Sequence, residues 1–175
     1  MLVRTARTFG GCSRLAFAGF FALLLVFMTT TICRANEKAI LQLSLPEGKT
    51  LALTDGDIAA LPWNEIHTKT VWTEGVQHFR GPRLAEVLAL SGLAKDDLLK
   101  RELTMIALND FRIKLQVEDA LEFDPILARE VNGVKMRVRD KGPLWLVFPR
   151  DDYRALQNAP RDELWIWQLS QIEVK

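Results

Sequence analysis

The two histidines of the chain, His67 and His78, stand eleven residues apart with Glu65 and Glu74 close by. Imidazoles and a carboxylate are donor types of a zinc site. Structural metal pairs use closer or helical spacings, however, and His67 sits mid-run in a strand-like alternation, opposite in sense to Thr68. No metal site is therefore expected, and surface histidines are the plain reading. Thr68, Thr70 and Trp72 project from one face of the same run. Hydroxyls beside an indole can orient a small polar ligand in an apolar cleft, and cross-strand packing explains the same pattern. Arg80 and Arg83 flank an expected helix start, where backbone amides and the dipole favour an anion. Pro82 removes one of those amide donors. No Ser-His-Asp order, phosphate-cradling loop or pair of catalytic carboxylates emerges from the spacing, so no catalytic residue is assigned.

Charge and cysteine content exclude several classes. Residues 1–35 carry Arg4, Arg7, Arg14 and Arg34 and no acid, so residues 36–175 hold 19 Lys+Arg against 22 Asp+Glu, a net charge of −3. Cys12 and Cys33 also lie in that first segment. The remainder has no disulfide framework, no thiol nucleophile, no cysteine-based metal site and no basic footprint for nucleic acid. A basic start, an apolar run over 15–32 and small residues at Cys33 and Ala35 have the layout of a signal peptide, with cleavage expected after Ala35. An uncleaved anchor is the alternative, since an 18-residue run is just long enough to span a bilayer. For a bacterial chain the mature domain, 36–175, is expected in the periplasm. Its lack of thiols suits an oxidising compartment.

The elements that must position these side chains follow from periodicity. Residues 39–45 and 65–72 alternate as half-buried strands. Thr54-Asp-Gly-Asp57 opens a short helix that Pro62 stops. Gly81-Pro82 opens the clearest helix, with Leu84, Val87 and Leu88 on one stripe and Gly92 as its stop. Strands at 102–108 and 111–117 flank the Asn109-Asp110 turn. Runs at 126–131 and 134–138 flank Asn132-Gly133, a strong hairpin signal. A buried strand over 144–148, a short helix within 151–157 and a long closing strand over 164–174 complete the pass. Trp165 and Trp167 would share one face of that last strand as a core ladder, or, if exposed, as a partner surface. Many strands with few helices indicate one α+β domain with mixed or mostly antiparallel sheets.

Three segments together carry a resemblance. Phe79-Arg-Gly-Pro-Arg-Leu84 with the helix after it, Ala107-Leu-Asn-Asp-Phe111 with Ile126-Leu-Ala128, and Lys141-Gly-Pro-Leu-Trp-Leu-Val-Phe-Pro149 resemble, in order and spacing, the sulfite-oxidase-like molybdopterin-binding oxidoreductase domain. The resemblance covers residues 64–174. It implies that fold, a molybdopterin cofactor, and a pocket bordered by the segment 68–78 and by the Asn109 turn. It also implies that the molybdenum-ligating cysteine would stand within 68–78, where this chain has none. The resemblance further implies glycine and basic residues after Pro149, where this chain has Arg150-Asp-Asp-Tyr153. The expectation is a periplasmic domain of this fold that acts as a ligand-binding, sensory or accessory module. Its ligand site would comprise Thr70, Trp72, His78, Arg80 and Asn109. Its partner would be a small ligand, a membrane-bound sensor or a redox protein. A periplasmic oxidoreductase retaining molybdopterin or another redox group is the alternative.

Overall fold

The structure, a computed structural model, describes residues 37–175. The signal peptide expected over 1–35 and its cleavage point lie outside the described residues. Strand β1 (Ala39–Ser44) turns Leu41 and Leu43 inward and pairs antiparallel with β2 (Thr50–Thr54). Thr54 then caps α1 (Asp55–Ala59) reciprocally. Its hydroxyl accepts the Asp57 amide at 3.2 Å, while its own amide donates to the Asp57 carboxylate at 2.9 Å. Two orphan donors of the helix start are satisfied at once.

Strands β3 (Trp63–Lys69) and β4 (Val76–Pro82) form an antiparallel pair in full register. Ile66 lies opposite Phe79 on the buried face. Glu65 opposite Arg80, and His67 opposite His78, lie on the other. The helix expected to open at Pro82 begins later: Pro82 is the last residue of β4, and α2 spans Leu84–Ala89. The reason is pairing on both edges of β4. Besides β3, the Arg129 amide donates to the Arg80 carbonyl at 2.8 Å and the Asn132 amide to the His78 carbonyl at 2.7 Å. A Cβ at position 81 would collide with the Leu127 carbonyl, so glycine is what lets the two backbones meet. Beyond that pairing, Leu84, Val87 and Leu88 bury as the stripe predicts, and Gly92 ends the turn with φ +72°.

After α3 (Lys95–Leu99), strands β5 (Glu102–Ala107) and β6 (Arg112–Gln116) make the expected hairpin, with Asp110 at φ 64° in its turn. Helix α4 (Val117–Leu121) leads to β7 (Ile126–Ala128), β8 (Glu130–Val131) and β9 (Val134–Lys135). Asn132 and Gly133, at φ 50° and 75°, form the β8–β9 turn. The run 126–131 is not one strand: β7 pairs with β10 (Trp145–Val147), whereas β8 pairs with β4 and β9. Where a short helix is expected within 151–157 there is a single 3₁₀ turn, Arg154–Leu156. A four-residue helix, α5 (Ala159–Asp162), follows.

The closing strand β11 (Leu169–Val174) runs parallel to β1 and antiparallel to β5. It is shorter than the alternation predicts, because Gln168 adopts φ 52° and turns the chain away. Residues before it bond elsewhere: Leu146 donates to the Ile166 carbonyl and Gln168 to the Lys141 carbonyl, each at 2.9 Å. Trp165 and Trp167 therefore leave the sheet ladder expected of them. The described residues form one α+β domain with a five-stranded mixed sheet, β2-β1-β11-β5-β6, a four-stranded sheet, β3-β4-β8-β9, and the pair β10-β7. One continuous apolar cluster underlies all three. Among the described residues no helix is long and apolar enough to cross a membrane.

Candidate functional site

Four of the five tryptophans converge. Trp72 stands on the turn after β3, Trp145 on β10, and Trp165 and Trp167 on the segment between α5 and β11. Trp72 packs against Trp145, Trp165 and Trp167 with ring centroids 6.3, 5.8 and 5.3 Å away. Edge-to-face and tilted geometries dominate, as the quadrupole of aromatic rings favours. The Lys141 ammonium lies over Trp145 and Trp167, 5.4 and 5.8 Å from their centroids. The indole N–H groups of Trp145 and Trp165 are buried without a hydrogen-bond acceptor among the described residues. Burying such donors is unfavourable unless ring faces take part of the interaction.

Three of these indoles, Trp72, Trp165 and Trp167, form the wall of a cavity of about 530 Å³. The β5–β6 hairpin supplies Asn109, Phe111 and Arg112 opposite, and α5 with the residues after it supplies Asp162, Glu163 and Ile166. That volume suits one small organic ligand. Asp162 is tied to Arg150 at 3.0 Å, whereas Arg112 forms no ion pair among the described residues. The Asn109 side-chain oxygen, Oδ1, accepts the Phe111 amide at 3.3 Å, which shapes the hairpin turn at the cavity edge.

The five residues expected to share a site are divided by the sheet. Trp72 and Asn109 line the cavity. Thr70 does not, but its hydroxyl accepts the Trp72 amide at 3.1 Å and bonds the Thr73 hydroxyl at 2.8 Å, so it holds the turn that presents Trp72. His78 and Arg80 lie on the other face of β3–β4, away from the cavity. There His78 Nε2 is 3.0 Å from Glu65 Oε2, and Arg80 bridges Glu65 at 2.9 Å and Glu130 at 3.1 Å. The Glu65 carboxyl is held below the usual carboxylate range, first by the His78 hydrogen bond, with Arg80 and His67 adding to it against partial desolvation. Phe111, Arg112, Asp162 and Glu163 were invisible as site residues. Only the closeness of Trp165 and Trp167 in sequence hinted at that wall.

The donors present do not suit the molybdenum group that the resemblance implies. No described residue is a cysteine, and hard hydroxyls do not replace a thiolate. Thr68 is fully buried, and its hydroxyl accepts the Asp151 amide at 3.1 Å. The Asp151 carboxylate in turn accepts the Lys69 amide at 2.9 Å. The segment after Pro149 is thus folded onto the end of β3, and Arg150 is occupied by Asp162.

No protein-family model and no curated protein sequence matches the chain. Among solved structures, the sulfane dehydrogenase SoxCD from Paracoccus pantotrophus is similar at a TM-score of 0.55 and 16% identity. The match covers 77% of this chain and 37% of that one, so this chain spans little more than a third of its structural neighbour. At that identity the likeness speaks for the fold alone: the described residues adopt a sulfite-oxidase-like α+β fold.

Proposed function

We propose that this domain is a ligand-binding module on an oxidoreductase-type fold, exported to the periplasm, where it reports to a membrane-bound partner. One observation carries the reading: the tryptophan-walled cavity lies beside a segment whose residues suit aromatic stacking and not thiolate ligation. Its preferred ligand is small and flat, with a ring that stacks on Trp72 and Trp167 and an acidic edge that meets Arg112. A guanidinium without an ion-pair partner among the described residues favours such an anion, and Asn109 offers a neutral hydrogen-bonding group alongside it. The dehydrogenase activity named for the neighbour is not carried over to this chain.

Two measurements test this. Anilinonaphthalene sulfonate, a flat aromatic anion, should bind the folded protein and be excited by energy transfer from the indoles. Trp72→Ala and the exposed Arg112→Ala should each weaken it by about tenfold. Equal binding by both variants, or none by the wild type, would overturn the reading. Pterin and molybdenum analysis of protein purified from a cofactor-producing host should find neither above background. One equivalent of each would establish the oxidoreductase alternative instead.

A further inference from the structure

The other face of the β3–β4 hairpin gathers the chain's two histidines. In the register of the hairpin His67 is directly opposite His78, and their rings stack 4.1 Å apart at 16°. Glu65, two residues before His67 on the same face of β3, reaches His78 Nε2 at 3.0 Å. One ligand-type atom from each of Glu65, His67 and His78 falls within 4.8 Å of the other two. In a tetrahedral zinc site with bonds near 2.1 Å, ligand atoms stand roughly 3.4 Å apart. The remaining ångström or so lies within rotation of the imidazole rings and leaves the paired backbones where they are.

We propose that Glu65, His67 and His78 form a surface site for a divalent transition ion, zinc above all, with a coordination position left to water or an incoming ligand. Two imidazoles and one carboxylate suit borderline ions and not magnesium or calcium, which prefer oxygen. An ion at this point would take the place of the proton that His78 Nε2 shares with Glu65 Oε2, the two atoms already standing 3.0 Å apart. Arg80 Nε lies 2.9 Å from Glu65 Oε1, an ion pair on the oxygen turned away from His78, so Oε2 is the oxygen left for an ion. Glu130, at 3.1 Å from Arg80, offsets the arginine's charge. Lys69, exposed and two residues beyond His67, is the other cation on this face of β3. This site is separate from the cavity, with the sheet between them.

The test is calorimetric titration of the tag-free full chain carrying Cys12→Ser and Cys33→Ser, so that thiols do not compete. Zinc should bind at one equivalent, magnesium should give no heat, and His67→Ala and His78→Ala should each weaken zinc at least about tenfold. His67 is exposed, so thermal unfolding of metal-free His67→Ala should match the parent, and His78→Ala, which also loses the Glu65 contact, should unfold within a few degrees of it. Cobalt should give a visible ligand-field band that either substitution abolishes. No zinc heat in the parent, or an affinity indifferent to both substitutions, would overturn the proposal. Binding of the aromatic anion in the tryptophan cavity should be unchanged in both variants, so the two readings stand or fall separately.

Discussion

Arg129 Nε donates to Asp55 Oδ1 at 2.6 Å, joining two residues that are 74 positions apart in the chain. The arginine is 8% exposed, and its Nη1 also donates to the carbonyls of Met136 at 2.6 Å and Pro143 at 3.1 Å. One guanidinium thus ties the start of α1 to the β8–β9 hairpin and to the strand that carries Trp145. It stands where the run 126–131 divides between two sheets, which explains a charged residue in an otherwise apolar stretch.

Arg129→Ala should therefore destabilise the domain by ~3 kcal/mol, since it leaves the Met136 and Pro143 carbonyls without their donor and Asp55 with Lys135 as its remaining cation. Urea unfolding would show this as a lower midpoint at unchanged slope. A loss under about 1 kcal/mol, the worth of an exposed pair, would refute the role given to it.

Asp55 supplies a pH dependence. Partial burial opposes its ionisation, but hydrogen bonds from Lys135 and Arg129 outweigh that and lower its pKa in the folded state. A carboxyl with a lowered folded pKa binds protons more readily when unfolded, so its contribution is complete above the unfolded value of about 3.9. It is lost as pH falls through the folded value. The stability gap between wild type and Asp55→Asn should be constant near neutrality and shrink in acid. A gap that widens below about pH 4 would contradict the ion-pair account.

Thr68→Val keeps the shape of a fully buried side chain but removes the acceptor of the Asp151 amide. About 1–2 kcal/mol of stability should go with it. Amide exchange should quicken at Asp151 and at Lys69, the two donors of this junction. Unchanged protection at both would show that the segment after Pro149 is held by something else.

Gly81→Ala tests the close approach of β4 and β7. The new Cβ would meet the Leu127 carbonyl, a backbone atom with no rotamer by which to yield. A loss of about 3 kcal/mol or more is expected in chemical unfolding. Gly92→Ala makes a useful contrast, because nothing surrounds that position and only its φ of +72° is strained. Its cost should be smaller, about 1 kcal/mol.

Much of the fold was legible along the chain because its signals are local. Alternation at Leu41 and Leu43, the Thr54–Asp57 cap, the stripe of Leu84, Val87 and Leu88, and the Asn132-Gly133 turn each depend on residues within a few positions. They sufficed for the α+β class, whereas the expected likeness to the sulfite-oxidase fold rested on the three resembling segments around Gly81, Asn109 and Pro143. The alternation of 65–72 even assigned His67 and Thr68 to opposite faces correctly. Alternation reports which way a side chain points, but it is silent about which strand lies alongside and in what register. That non-local pairing is what set His67 against His78, moved His78 and Arg80 to the face away from Trp72 and Asn109, and kept Pro82 in a strand. Likewise no local rule foretold the corner at Gln168, which turned Trp165 and Trp167 out of a sheet ladder and into the wall of a cavity. Local chemistry wrote the elements; burial and strand register, which sum contacts across the whole chain, decided what those elements bring together.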